Sequence, residues 1–501
     1  MSTAVPPARR GPWILAVDVG SSSVRAQWLD ASCAPLAEAA RELYAWDSTP
    51  DGGMQLDAES LLARCLRAID RAVAVGREAG IEPAAVALAT FWHGLVGMDA
   101  DGCPVTPLTG WGDGRARAAA DALRARLDES AVHRRTGCFV HEAYPAARLV
   151  WLEDAAGDTF PRAATWGSIG EVLALRLFGE ARTSVSMASG TGLMDLRRMR
   201  WDDAVVDAVG LSPERLPVIS DVPLQGLRGE FASRWPELAA IPWFPALGDG
   251  ACASLGMGAV GRTVGLTVGT TAAVRVLRDD PAPVVPPGLW CYRLDARRTV
   301  TGRATSNAGN IFAWLRHVLA LPPADELEAQ LSAMRPAAHG MTVVPRLVPE
   351  RPPRPEGPDW AVMAGMTPAT GPVEIARAWL EAASFTMADA LDAVEADGDP
   401  AAEVVAGGGA LHASPAWARM VADALGRPVR LAPDPETTLR GAALVALERL
   451  GVIGDAMEFA AADRAGVVLQ PDAEAHEVYR AARRRTGLDE GPQPSAQRLS
   501  S

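Results

Sequence analysis

Two short stretches half a chain apart constrain this sequence more than anything else in it. Residues 14–30 read Ile14-Leu15-Ala16-Val17-Asp18-Val19-Gly20-Ser21-Ser22-Ser23-Val24-Arg25-Ala26-Gln27-Trp28-Leu29-Asp30, two apolar β-runs joined by a tight hydroxyl-rich turn with a carboxylate at its entrance. Residues 264–277 repeat the plan, with Val268-Gly269-Thr270-Thr271 between two apolar runs. Gly20 lets the backbone approach a ligand closely or take a positive φ, and the amides and hydroxyls of Ser21, Ser22 and Ser23 suit phosphate oxygens. Asp18, ending an apolar strand, is suited to hold a metal ion or its waters beside that phosphate. One such turn is explained as readily by local preference, because Asp, Gly and Ser favour turns. Two of them, at this separation, predict an internal duplication: two related domains, each offering a polar hairpin tip to a common cleft.

Length agrees, since 501 residues exceed what one core usually holds and two domains of roughly 250 residues are expected. A hydrophobic fraction of 49% and a charged fraction of 22% belong to a globular, soluble chain. The formal net charge is −13 and there is no lysine, which argues against a general nucleic-acid or anionic-membrane binder. Cys33, Cys65, Cys103, Cys138, Cys252 and Cys291 are scattered without a C-x-x-C, so neither structural zinc nor a disulfide scaffold is expected. Met1 to Gly11 lacks the apolar core of a signal peptide and no apolar run reaches the length of a membrane span, so a cytoplasmic location is expected.

Further along, Leu61, Leu62, Cys65, Leu66, Ile69 and Val73 recur at helical spacing and predict a helix over about 58–78. The near-continuous apolar run Ala84 to Thr90 predicts a strand covered on both faces, delivering Phe91-Trp92-His93-Gly94 to its carboxyl end, where ligands gather in α/β sheets. Trp92 and His93 offer an apolar face and a hydrogen-bonding ring to a polyhydroxy compound, or else are a packed Trp and a satisfied core His. Trp111-Gly112-Asp113-Gly114-Arg115 adds a carboxylate to the same rim or forms a surface loop. A boundary is expected near Pro245, and just beyond it Asp249 reads equally as a helix N-cap or as a general base for a substrate hydroxyl. Later come a Pro- and Arg-dense loop over 344–358, a helix over 373–395, and a strand from Glu403 ending in Gly407-Gly408-Gly409. Ser414 and Pro415 then open a helix that Gly426 closes, and the tail after Gly487 is expected to be disordered.

In this order the pieces resemble the FGGY carbohydrate kinases of the actin, Hsp70 and sugar-kinase superfamily, from about Trp13 to Gly451. The resemblance rests on Asp18-Val19-Gly20-Ser21-Ser22-Ser23, Trp92-His93-Gly94, Gly248-Asp249, Thr267-Val268-Gly269-Thr270-Thr271, Gly407-Gly408-Gly409 and Glu436-Thr437-Thr438-Leu439-Arg440-Gly441-Ala442-Ala443. It implies an α/β fold of two ribonuclease-H-like domains, 12–245 and 246–486 followed by a tail over 487–501, with an interdomain active-site cleft for ATP, Mg2+ and a small carbohydrate. By the same resemblance Asp249 is the catalytic base and contacts substrate with Trp92, His93 and Asp113, while Asp18 serves the metal. Ser21, Ser22, Ser23 and Arg25 meet phosphates from one side and Thr270 and Thr271 from the other, with Gly309, Gly408 and Gly409 lining the nucleotide. Partners are then limited to a small-molecule substrate, with no nucleic acid or membrane and the assembly left open, a homodimer included.

The stretch Leu175 to Asp195 with Trp201-Asp202, and Tyr144 to Trp151 with Arg148 in place of a usual lysine, run closest to family members acting on gluconate. Trp92-His93-Gly94 is closer to those acting on xylulose, which makes a ketopentose (xylulose or ribulose) or a polyol the alternative. Two readings of other classes are a non-catalytic ligand-binding regulator on the same fold, against which Asp18 and Asp249 argue, and an actin- or Hsp70-like ATPase, which Trp92-His93 disfavours.

Overall fold

The computed structural model describes residues 11–353, 360–396, 400–433, 436–463 and 465–485. The tail over 487–501, residues 1–10 and the end of the loop expected over 344–358 lie outside the described residues. Two compact units emerge, neither one continuous stretch: Met1–Gly261 with Val276–Thr301 and Glu436–Arg464, and Arg262–Arg275 with Gly302–Pro435 and Ala465–Ser501.

The first unit is built on β1 (Trp13–Val19), β2 (Ser23–Leu29), β3 (Ala40–Leu43), β4 (Pro83–Thr90) and β5 (Trp243–Gly248), in the sheet order β5-β4-β1-β2-β3. β1 and β2 are antiparallel with Asp18 opposite Arg25, and β4 runs parallel to both β1 and β5. Every residue of β1 is buried, as a central strand covered on both faces requires. Each of its large apolar side chains removed from water contributes about 1.5–3 kcal/mol before conformational entropy is set against it. The helix α1 (Ala58–Ala79) covers one face: Asp57 caps its first turn by accepting from Ser60 N–H, and Gly80 at φ 62° ends it. Its buried stripe is the one its periodicity predicts, and the Trp28 indole N–H donates to Ala72 O at 2.6 Å to fix it on β2. The helix α2 (Pro145–Ala155) and the eight-residue α3 (Asp249–Gly256) complete the elements that carry the site in this unit.

The second unit repeats the plan. β6 (Thr263–Val268), β7 (Ala272–Asp279), β8 (Arg298–Thr305), β9 (Glu403–Gly407), β10 (Val429–Leu431) and β11 (Val467–Leu469), six strands of a seven-stranded sheet, take the order β8-β7-β6-β9-β10-β11, with the seventh, Trp290–Arg293, beside β8. Read from the other edge, β10-β9-β6-β7-β8 reproduces β5-β4-β1-β2-β3, with β6 and β7 an antiparallel hairpin and β9 parallel to β6 and β10. The duplication inferred from two hairpin tips is therefore visible as one strand order used twice. Helices α4 (Pro372–Glu395) and α5 (Pro415–Leu425) pack against each other, the latter between the Ser414 cap and Gly426 at φ 62° that the sequence marks. Among the described residues no helix is long and apolar enough to cross a membrane, and all six cysteines are free thiols, only Cys103 exposed.

The chain then returns to the first unit as α6 (Thr437–Arg449), which packs on β1, β4 and, most closely, α3. Two glycines set that distance: a Cβ on Gly256 would stand 1.8 Å from Thr437 O, and one on Gly441 1.9 Å from Cys252 O. Gly441→Ala is expected to cost about 1–3 kcal/mol, the usual penalty for forcing a methyl into a packed interface. Urea unfolding checks this, and a midpoint equal to that of the native chain would show that the two helices separate freely.

Candidate active site

At the tip of the first hairpin, Gly20 N donates to Ser23 O at 3.0 Å, Ser21 and Ser22 are exposed, and Ser23 is buried at the start of β2. A Cβ at position 20 would lie 3.3 Å from Arg25 Nη2, a tight contact, and 3.6 Å from Asp18 Oδ2. Asp18 is fully buried, with Oδ2 bound by Arg25 and no hydrogen-bond partner at Oδ1. Burial pushes its carboxyl up to about 7, against the pull of the Arg25 guanidinium and with the Asp249 and Glu436 charges pushing further. A buried carboxylate oxygen without a partner is costly, and a cation would satisfy it.

Arg25, expected on a phosphate, bridges Asp18 to Glu436, whose Oε2 accepts from Nη1 at 2.7 Å. Glu436 also accepts from Arg41 at 2.5 Å. The first hairpin is thus tied to the residue that precedes α6.

Asp249 begins α3, and the N-cap is Gly248. Gly250 N–H donates to Asp249 Oδ1 at 2.7 Å in the first turn of that helix. Of the two roles the sequence leaves open, capping therefore falls to the neighbouring residue. The strand end beside it is packed by Trp92: a Cβ on Gly248 would strike the indole at 1.9 Å, and Trp92 Nε1 donates to Ser186 O at 3.0 Å. Ser186 Oγ in turn accepts from Gly248 N at 3.0 Å.

His93 sits at φ 65°, in the left-handed region that non-glycine residues adopt at a cost of order 1 kcal/mol. Two contacts hold it there. Its Nδ1 lies 2.6 Å from Gly190 O, and its own carbonyl accepts from Arg148, a fully buried guanidinium on α2. Arg148 also donates to Thr109 O and Oγ1 at 2.9 Å and to Gly110 O and Ala143 O at 3.1 Å. Tyr144 and Tyr292 stand edge-on to the imidazole at 5.0 and 5.5 Å and share a 2.8 Å hydroxyl contact. Tyr292 also stands edge-on to Trp92 at 5.0 Å. Asp113 is fully buried and engaged by its own loop: Arg115 holds it through Nε and Nη2, and Met54 N–H donates at 3.3 Å.

In the second unit the hairpin tip is Gly269-Thr270-Thr271, closed by Gly269 N donating to Thr271 O at 2.9 Å. Gly309 N and Asn310 N donate to Gly269 O and Thr270 O at 3.0 and 3.1 Å. A Cβ on Gly309 would stand 2.3 Å from Gly269 O, and one on Gly408 2.3 Å from Val268 O, so both glycines crowd this tip, while Gly409 faces open space. Glu350 is fastened to the end of β8 by Thr305 Oγ1, Ser306 N and Asn307 Nδ2, and the adjacent Arg351 reaches Thr271 Oγ1 at 3.3 Å.

The structure thus gathers Asp18, Ser21, Ser22, Ser23, Arg25 and Asp249 in one unit with Trp92 and His93, and gathers Thr270, Thr271, Gly309 and Gly408 in the other. Sequence reasoning passed over Glu436 as a site residue, together with Tyr44, Trp46 and Tyr292. Composition carried one signal: the chain has only four tyrosines, and Tyr44, Tyr144 and Tyr292 all lie at this site.

Comparison with known proteins places both halves of the chain in one family. The N-terminal domain of the FGGY family of carbohydrate kinases matches residues 13–256, and the C-terminal domain of that family matches residues 264–448. A gluconokinase of Bacillus licheniformis is 26% identical over 394 residues, 74% of this chain and 75% of that one. A xylulose kinase of Escherichia coli (strain K12) is 28% identical over 370 residues, 72% of this chain and 75% of that one. The crystal structure of gluconate kinase from Lactobacillus acidophilus superposes with a TM-score of 0.85 at 22% identity, covering 95% of this chain and 96% of that one. Both halves of the chain match in order, and the protein belongs to the FGGY family of carbohydrate kinases, enzymes that transfer phosphate from ATP to a small carbohydrate.

Proposed function

We propose that the protein phosphorylates a hydroxyl of a sugar acid, gluconate first, with Asp249 as the base. The observation that carries the chemistry is the pair of carboxylates in one field: Asp18, buried with one oxygen unpartnered, and Asp249 at the start of α3. Phosphoryl transfer needs little covalent help from the protein, so positioning, charge neutralisation and one proton acceptor suffice.

Asp249 takes the proton of the acceptor hydroxyl, and Gly250 N–H fixes the orientation of its carboxylate. Among the described residues no group of three or more His, Cys, Asp or Glu is arranged to hold a metal ion. Mg2+ does not need one, because it keeps most of its waters and is bound by one or two carboxylates together with substrate phosphates. The unpartnered oxygen of Asp18 fits that role, and the ion when bound supplies neutralising charge to the phosphates. The amides of Ser21, Ser22 and Ser23 and the hydroxyls of Thr270 and Thr271 are the phosphate contacts in this reading. Gly309, Gly408 and Gly409 are the glycines beside the nucleotide.

Gluconate is preferred because the stretch most like gluconate-acting relatives is wired to the acceptor residues. Ser186 binds Trp92 and Gly248, and Gly190 binds His93, while a Cβ on Gly190 would stand 2.6 Å from Trp92 Cδ1. The second reading, a ketopentose, rests on the Trp92-His93-Gly94 step itself.

ADP release with MgATP should accelerate most with gluconate in a panel that includes xylulose, ribulose and glycerol, with product mass confirming the ester. Release with xylulose alone would keep the chemistry and move the substrate, and release with none would favour a binding protein without transfer. Asp249→Asn is expected to lower kcat by about 10³-fold, the scale of a lost general base, with ATP affinity unchanged. Undiminished turnover would remove Asp249 from the role.

A further inference from the structure

Three successive carbonyls of the first hairpin tip are all claimed by one neighbouring segment. Tyr44 Oη donates to Gly20 O, Trp46 Nε1 donates to Ser21 O at 2.8 Å, and Tyr44 N donates to Ser22 O at 3.1 Å. The last of these merely continues the pairing of β2 with β3, which matches Ser23 to Leu43. The two side-chain bonds are not sheet pairing. They come from residues two apart, the spacing at which extended chain projects side chains to the same side.

Among the described residues the cis peptides are Gly11-Pro12 and Pro352-Pro353, so the tip peptides are trans. A planar trans peptide points its C=O and N–H in opposite directions. Pinning the carbonyls of Gly20, Ser21 and Ser22 to residues 44–46 therefore turns the N–H groups of Ser21, Ser22 and Ser23 away from that segment as a set.

We propose that Tyr44 and Trp46 are positioning residues of the phosphate loop, holding its peptides so that three amides face the phosphate before it arrives. This rests on the reading of the Gly20–Ser23 turn as a phosphate site. The clamp is itself braced. Trp46 stands edge-on to Phe91 at 5.4 Å, and its ring fills the space a Cβ on Gly110 would enter at 2.8 Å. Phe91 N donates to Val19 O at 3.0 Å, so the same contact joins the phosphate turn to the strand end that carries Trp92 and His93. Burial, with the charges of Asp18 and Asp249 adding to it, pushes the Tyr44 phenol far up, and it remains a donor at every working pH. Fixed donors of this kind contribute because they need no reorganisation when charge develops.

The test compares Tyr44→Phe, Trp46→Phe and the double variant with the native enzyme. Five quantities are measured: kcat, KM for MgATP, KM for the acceptor, and calorimetric affinities for a non-hydrolysable ATP analogue and for adenosine. Each single variant is expected to lower kcat/KM for MgATP about tenfold, a fraction of what losing an oxyanion-hole donor outright costs. The acceptor KM and adenosine affinity should not change. A fall in melting temperature with kinetic constants per folded enzyme unchanged would overturn the proposal, since that is what a purely structural pair of hydrogen bonds produces. Should Trp46→Phe fail to fold, Tyr44→Phe, which removes one oxygen, carries the comparison alone. If the native enzyme transfers phosphate to no acceptor, the functional reading fails. The clamp then stands if the variants bind the ATP analogue, but not adenosine, more weakly, and falls if both affinities are unchanged.

Discussion

The ion-pair chain Arg41–Glu436–Arg25–Asp18 is the interaction on which the first unit's site depends. Asp18 is fully buried, and an isolated carboxylate in that position would be neutral or displaced. Arg25, opposite it in the hairpin register, supplies one compensating charge, and Glu436 keeps that guanidinium from being pulled wholly onto Asp18. Because Glu436 directly precedes α6, the electrostatics of the hairpin and the packing of α6 on α3 are set by one short piece of chain. A displacement of α6 moves both the carboxylate that shares Arg25 with Asp18 and the helix that presents Asp249.

Much of this was legible in the sequence where the determinants are local. The hairpins follow from alternating buried and polar runs around Gly-Ser-Ser-Ser and Gly-Thr-Thr, α1 from its stripe, and α5 from Ser414, Pro415 and Gly426. The one strand order shared by both units agrees with the hairpin seen twice in the sequence. What was not legible depends on partners remote in sequence. Arg25 and Glu436 are 411 positions apart, and nothing around either residue announces the pair. Asp113 reads as a rim carboxylate, whereas its oxygens are taken up by Arg115 and the Met54 amide. Tyr44 and Trp46 are single aromatics in a polar stretch without a period, and their meaning appears only when the carbonyls they bind are seen.

His93 illustrates how a local rule is broken at the site and compensated nearby. An imidazole at φ 65° is strained, yet its carbonyl and Nδ1 are both engaged, and two tyrosine rings fix its plane. The surrounding contacts over-determine this conformation, which is how a strained backbone persists.

The chain has no lysine, and beside His93 the buried cation is a guanidinium, which has a physical advantage there. Arg148 is fully buried among carbonyl oxygens, and burial pulls its guanidinium down to about 9, still cationic at neutral pH. Burial disfavours the charged form of any basic group, and an ammonium, with its lower ordinary value of about 10.4, has less margin to stay protonated than a guanidinium. It would also offer three donors where Arg148 spreads its bonds over the carbonyls of His93, Thr109, Gly110 and Ala143 and the hydroxyl of Thr109. A guanidinium can therefore hold the strained turn at His93 with a permanent charge and a planar fork. The same reasoning covers Arg293, fully buried among the carbonyls of Leu196, Asp295, Ala296 and Pro281, where a lysine would leave acceptors unmatched. At Arg148 and Arg293 the buried cation organises backbone carbonyls, a task that the planar five-donor fork of a guanidinium suits better than the three donors of an ammonium.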